Sequence, residues 1–269
     1  MPPAIGRAAR RNNGGGLFHP SILPCLPQIA FLSYIGGMSA PLYNTDILRL
    51  AASIPHHQRL ADPQASVELA KLSYPRNYLD FETISFAMPI WEGTRPFEQL
   101  PFQWSCHIEG SPGNFEHFEF LDTSGKPPML DFVEKLVAAI DNDGPVLVYS
   151  SYEERILRET SIRYPHLEEK IKNIQARLFD LLPLTQKYYC HPEMRGSWSI
   201  KSVLPTVAPE LDYGDLDVQG GQAAQQKFLE MITPGISENE MKQGRTALLQ
   251  YCKRDTLAMV KLAQFLGRT

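Results

Sequence analysis

Asp80 and Glu82 stand two residues apart in the run Leu79-Asp80-Phe81-Glu82-Thr83, and that spacing sets what they can do. Side chains two apart along a β-strand share a face, so both carboxylates point the same way. Their neighbours Tyr78, Leu79, Phe81 and Ile84 are those of a central strand, where two adjacent charges are costly unless something positive compensates them. A divalent cation does this economically, because Mg2+ takes oxygen ligands from one or two carboxylates and keeps its remaining waters. The plainer reading is a strand with one wetted face. A second pair lies in Tyr251-Cys252-Lys253-Arg254-Asp255. On a helix these positions are i and i+4 and project together. An aspartate ligand beside a phenol that orients or deprotonates a water suits hydrolysis at a metal centre. Alone, Tyr251 and Asp255 read as an amphipathic helix with an exposed acid; beside the first pair, the balance reverses.

These residues require a strand and a distant helix to meet. Alternation and turn signals predict strands over Asn77–Ile84, Phe102–Ile108 and Phe115–Leu121. Apolar spacing at Leu130, Val133, Leu136, Val137 and Ile140 predicts a helix that Asp143-Gly144-Pro145 stops. The short apolar run Val146–Tyr149 reads as a strand buried on both faces. A helix is expected from Ser150 or Ser151 to about Ile162, then others over Leu167–Ile174, Leu181–Tyr188, Ile200–Val207, Gly221–Ile232 and Glu238–Leu266, with Arg177–Asp180 as a fifth, short strand. Three strands with short links form an antiparallel meander, and strands reached through crossover helices lie parallel. That order is similar to the ribonuclease H-like arrangement: α/β, with a mixed five-stranded sheet and helices on both faces.

Asp-Phe-Glu-Thr on a first strand with Tyr-x-x-x-Asp on a last helix resembles the DEDD exonuclease superfamily, and the tyrosine resembles the branch holding ribonuclease D and proofreading exonuclease domains. The resemblance implies 3′-to-5′ hydrolysis of phosphodiesters in DNA or RNA, at a single-stranded end, with two Mg2+ or Mn2+ ions. It also implies a fourth carboxylate at the start of the helix after the fourth strand. Ser150-Ser151-Tyr152-Glu153-Glu154 stands there, so Glu153 replaces the usual Asp. The metal ligands implied are Asp80, Glu82, Glu153 and Asp255, with Tyr251 orienting the nucleophile and Asp180 in reserve. Glu153 has a second reading, since Ser150-x-x-Glu153 and Ser151-x-x-Glu154 are both capping-box patterns.

A closer resemblance runs from Tyr74 to Leu266. Tyr78–Thr83, Gly93-Thr-Arg-Pro96, Pro101–Ser105, Gly196–Pro205 and Tyr251–Thr256 resemble a bacterial domain-of-unknown-function family, DUF2779. Its members often carry this domain behind a RecB- or Cas4-like nuclease domain, which is therefore a candidate partner. The segment before residue 75 here is too short for one and lacks its cysteine cluster, so the chain reads as a shortened member. Within Gly196–Pro205, Gly196 makes a turn and Ser197 or Ser199 can cap a helix. Lys201 then falls in the first turn, where a cation opposes the helix dipole unless it contacts a phosphate. Trp198 could stack on a base. The alternative is an ordinary surface lysine and a packed tryptophan. Thr83, Arg95 and Gln103 complete the expected substrate contacts.

The bulk composition is neutral on substrate. The chain has 269 residues, 43% of them apolar, and a net charge of −4, which neither calls for nor excludes nucleic acid. Residues 1–40, rich in Gly, Pro and Arg, read as a disordered leader, 41–73 as a helical lead-in, and 74–269 as the catalytic domain. The lead-in holds two helical patterns, Asp46–Ile54 and Ala65–Leu72. Cys25, Cys106, Cys190 and Cys252 contain no CxxC pair and read as reduced thiols of a cytoplasmic protein. No apolar run is long enough for a membrane span, and there is no Walker loop, GxGxxG or GxSxG motif. The histidines show no HxxxH spacing. Two other functions compete: a non-catalytic nucleic-acid-binding or assembly module on the same fold, and a paired-carboxylate glycosidase. The glycosidase fails because Asp80 and Glu82 share one strand and would not flank a sugar from opposite sides.

Overall fold

The computed structural model describes residues 60–268; the leader over 1–40 and the helix expected over Asp46–Ile54 lie outside the described residues. From there the chain runs β1 (Leu60–Ala61), α1 (Gln64–Ala70), β2 (Arg76–Ile84), β3 (Leu100–Ser111), β4 (Asn114–Leu121), α2 (Met129–Ala139), β5 (Val146–Val148), α3 (Tyr152–Arg163), α4 (Glu168–Gln175) and β6 (Leu178–Asp180). It continues through α5 (Leu181–Tyr188), β7 (Tyr189–Cys190), α6 (Ile200–Val207), α7 (Gly221–Ile232) and α8 (Glu238–Leu266).

Five strands form a mixed sheet in the order β4-β3-β2-β5-β6. The tight turn at Gly113, with φ +81°, closes β3 onto β4 as a hairpin, and β2 pairs antiparallel with β3. The helices between β4, β5 and β6 carry the chain back across the sheet, so β5 and β6 join β2 in parallel. Gly144 makes the junction between β2 and β5 close. A β-carbon there would lie 1.7 Å from the Pro75 carbonyl oxygen, so the position excludes every other residue.

The two faces of the sheet differ in chemistry. On one face Leu79, Phe81, Trp104, Val146 and Val148 pack with Phe132, Val133 and Leu136 of α2, Ile156 and Leu157 of α3, and Ile171 and Ile174 of α4. Burial of that kind contributes about 1.5–3 kcal/mol per large apolar side chain. On the other face, Tyr78 and Leu147 meet Met259, Val260, Leu262 and Ala263 of α8. Beyond them the face turns polar. Asp80 lies opposite Ser105 and Glu82 opposite Gln103 in the β2–β3 register, and α8 covers this strip.

Part of the segment before residue 74 packs onto the body described above. β1 pairs with β7, and Ala65 and Leu69 of α1 are buried in the core beneath α8. A two-residue strand carries no alternation, so its pairing leaves no trace in the sequence.

Candidate metal centre

β2 delivers Asp80 and Glu82 to the polar face, and the middle of α8 delivers Asp255. Carboxylate oxygens of all three lie within 4.8 Å of one another. Glu82 and Asp255 are buried, and Asp80 is half-buried. Crowding like charges away from water disfavours ionisation. Burial holds Asp80 well above the ordinary carboxylate range, and the charges of Asp255, Glu82 and Glu153 add to it, while a bond from the Cys252 thiol opposes it. Burial and Asp255 raise Glu82 likewise, with Lys201 pulling the other way. Asp255 is pushed up to about 6 by burial, against hydrogen bonds from Tyr213 and Tyr251 and the charge of Lys201.

Glu153, in the first turn of α3, is 4% exposed and stands close enough to raise both β2 acids. Its own carboxyl is pushed up to about 8, first by burial, then by the charges of Asp180 and Asp255. Its own backbone N–H and the Ser150 hydroxyl oppose the shift. The capping-box reading does not describe this helix start. Ser151, at the N-cap, makes no side-chain cap bond, whereas α8 begins with a full capping box between Ser237 and Glu240. Glu153 Oε2 is left buried without a hydrogen-bond partner. Asp180 is spent as the N-cap of α5, accepting from the Leu182 N–H at 2.8 Å.

Around the acids sits a ring of polar groups. Lys201 Nζ donates to the Tyr251 hydroxyl at 2.8 Å and to the Gln219 carbonyl at 3.0 Å. The ammonium also lies over the Tyr251 ring, 4.7 Å from its centroid. Burial and the carboxylates keep the Tyr251 phenol far above its ordinary value, so it stands as a neutral O–H. Tyr213 donates to Asp255 Oδ1 at 2.5 Å. α7 starts beside the cluster, with the Gly221 position 3.9 Å from Glu82 Oε2 when a β-carbon is built on it.

The register of α8 is set by hydrogen bonds to β3. Gln103 Nε2 donates to the Leu248 carbonyl at 2.7 Å. The Thr256 hydroxyl meets Ser105 Oγ at 2.9 Å and His107 Nδ1 at 2.8 Å, and Ser105 meets His117 Nε2 at 2.9 Å. Burial lowers His107 to about 3 and His117 to about 4, so both rings are neutral and each supplies one donor and one acceptor. Thr256 directly follows Asp255, so this network fixes how α8 presents the aspartate.

The sequence-predicted residues therefore divide. Asp80, Glu82 and Asp255 converge, with Lys201 and Tyr251 bonded to each other beside them and Glu153 near enough to raise both β2 acids. Gln103 is wholly buried and holds α8 instead of facing a substrate. Thr83 is also buried, bonded to Gln99 Oε1 at 2.8 Å and to the Tyr152 hydroxyl. Arg95 lies in the loop after β2 with its guanidinium 3.7 Å from Glu98. The Trp198 indole donates to the Tyr189 carbonyl at 3.0 Å and packs against the core under α8, so its ring is not a free stacking platform. Tyr213, Gln219 and the Thr256 network were not anticipated. Tyr213 and Gln219 lie between α6 and α7, where no periodicity marks a side chain as inward.

The residue set fits a divalent cation. The donors are carboxylate oxygens, the hard ligands that Mg2+ and Mn2+ prefer, and the orphaned Glu153 oxygen is a buried acceptor still lacking a positive partner. Among the described residues no helix is long and apolar enough to cross a membrane.

The sequence model of the family described as "Domain of unknown function (DUF2779)" matches residues 77–199. That span holds Asp80, Glu82 and Glu153 and ends before Lys201, Tyr251 and Asp255. The chain is 28% identical over 216 residues to the uncharacterized protein MG366 of Mycoplasma genitalium, covering 73% of this chain and 32% of that one. It is 28% identical over 229 residues to the uncharacterized protein UU173 of Ureaplasma parvum, covering 76% and 33%, and 26% identical over 216 residues to an MG366 homologue of Mycoplasma pneumoniae. The chain thus spans about a third of the length of the curated relatives it matches. No solved structure matches it.

Proposed function

We propose that this chain is a metal-dependent 3′-to-5′ exonuclease on a ribonuclease H-like fold, acting in the cytoplasm on single-stranded ends of DNA or RNA. The observation that carries the reading is the convergence of three carboxylates from β2 and α8, with Glu153 of α3 close enough to act on them electrostatically and its Oε2 buried and unpartnered. The strand order β4-β3-β2-β5-β6, antiparallel on one side of β2 and parallel on the other, supports the fold assignment. The polarity rests on the resemblance to DEDD exonucleases.

Asp80, Glu82, Asp255 and Glu153 would hold the cations. Bound Mg2+ or Mn2+ supplies a Lewis acid for the phosphoryl oxygens and lowers the barrier to deprotonating water. The chain's own residues do the rest. Tyr251 accepts from Lys201 and donates toward Asp255, so its hydroxyl would have to leave that carboxylate, once cations hold it, to orient a water or a phosphate oxygen. Lys201 offsets charge on Glu82 and Asp255. On substrate entry it is positioned to meet a non-bridging oxygen as a point charge. Burial of Glu82, Tyr251, Cys252 and Asp255 keeps much of the water from the centre, which strengthens each electrostatic contact.

The test is degradation of 3′- and 5′-end-labelled single-stranded DNA and RNA with Mg2+ or Mn2+, wild type beside Asp80→Asn. Stepwise shortening from the 3′ end, abolished by chelator and by the substitution, is the expected result. No cleavage of either polymer by a folded protein overturns the reading and favours a binding module.

A further inference from the structure

Residues 208–220, between α6 and α7, have neither helical nor strand periodicity, yet they close like a strap over one turn of α8. Ala208, Tyr213, Leu216 and Val218 are buried in the same core as Leu248 and Tyr251. Two charged contacts fasten the strap on its outer side. Arg254 forms a fork on Asp215, with Nη1 3.2 Å from Oδ1 and Nη2 3.0 Å from Oδ2, and also donates to the Asp212 carbonyl. Planar two-point pairs of this kind add directional constraint to their energy. Between these anchors the Tyr213 hydroxyl reaches Asp255 Oδ1 at 2.5 Å. Its ring meets the Tyr251 ring edge-on at 6.4 Å and lies under the Lys201 ammonium, 5.4 Å away. The strap's Gln219 carbonyl receives Lys201 as well.

We infer that Tyr213 is a positioning residue for the centre: its hydroxyl fixes the Asp255 carboxylate through Oδ1 in the orientation it presents to a cation. The inference rests on the metal reading above and extends it to a residue outside the four carboxylates and outside the segment matched by the family model. A lone carboxylate on a helix turns about its own side-chain bonds. A donor on one oxygen removes that freedom before a cation arrives, and such partners of metal ligands are typically worth about 10–100-fold in metal affinity or activity. Apolar packing alone would need only the ring. The hydroxyl is therefore the part under test, and Arg254 with Asp215 is what keeps the strap down.

The experiment is a titration of Mn2+ alone into the full chain by calorimetry or electron paramagnetic resonance, for wild type, Tyr213→Phe and Asp215→Asn, with thermal unfolding of each metal-free protein alongside. Tyr213→Phe keeps the ring and loses the donor. The expected result is Mn2+ affinity about tenfold or more weaker, with a metal-free unfolding midpoint close to wild type. Wild-type affinity in a folded Tyr213→Phe overturns the inference and leaves the metal reading standing. Should Tyr213→Phe fail to fold, Asp215→Asn carries the test: weakened Mn2+ binding supports the strap and unchanged binding overturns it. No Mn2+ binding by the wild type overturns the metal reading and this inference together.

Discussion

Glu153 is a side chain whose environment makes a measurable demand. Its carboxyl, raised to about 8 by burial and the neighbouring acids, is protonated in the folded metal-free protein at pH 7, whereas in the unfolded chain it ionises near 4.5. The folded state therefore binds the extra proton, and stability falls as pH rises through this range. His107 and His117, lowered by burial to about 3 and 4, act in the opposite sense, but only below their unfolded value near 6.5. Between pH 6.5 and 8 the carboxylates dominate, and the histidines offset them only through the residual protonation of the unfolded imidazoles. Metal-free protein should lose on the order of 1–2 kcal/mol of stability across that interval from Glu153, and thermal unfolding at the two pH values measures it. Glu153→Gln should lessen the dependence, leaving the part due to Asp80 and Glu82, and weaken Mn2+ binding. Excess Mn2+ should reverse the slope for the wild type, since cation binding adds stability and needs ionised ligands. A slope unaffected by both changes would mean that Glu153 belongs to no metal centre. The sequence exposed this residue only through a family pattern, because a capping serine three residues earlier accounts for a glutamate equally well.

At the scale of elements, α8 is the part that must arrive in one orientation. It does so by reading a polar sheet face with Gln103, Ser105 and His107 rather than by apolar fit alone. Thr256→Val keeps the shape of the side chain and leaves Ser105 and His107 short of a partner in a buried site. The expected loss is about 1–3 kcal/mol in urea unfolding, with Thr256→Ser close to wild type. Equal stability of the Val variant would show that the network does not hold the helix. Gly144→Ala should be more damaging, because the new methyl would overlap the Pro75 carbonyl where β5 meets β2. The elements themselves were legible in the sequence. Leu79 and Phe81 alternate with Asp80 and Glu82, and α2 repeats Val133 and Leu136 on one face, so periodicity alone marks strand and helix. What the helices dock against was not legible. Gln103 and Thr83 look like exposed polar residues until their partners 145 and 16 residues away in the chain are known. Tyr213 carries no local signal at all, because its role comes from a loop folding over a helix.

At the scale of the molecule, the mixed sheet brings residues 80, 82 and 255 to one place, with Glu153 nearby, although α8 is the last element described. The family match covers the strand acids and Glu153 but stops at residue 199, so the contribution of α8 rests on geometry: Asp255 within 4.8 Å of the β2 acids and Tyr251 held by Lys201. The central claim is that these carboxylates present a cation to a scissile phosphate. Its most direct measurement uses a labelled single strand whose 3′-terminal linkage is a phosphorothioate of defined configuration, incubated with Mg2+ or Mn2+. Sulfur is a poor ligand for Mg2+ and an acceptable one for the softer Mn2+. Cleavage of one diastereomer should be strongly slowed in Mg2+ and largely restored in Mn2+, with the unmodified strand cut in both. Cleavage that proceeds without added divalent ion, or that is slowed equally in both metals for both diastereomers, would contradict the account.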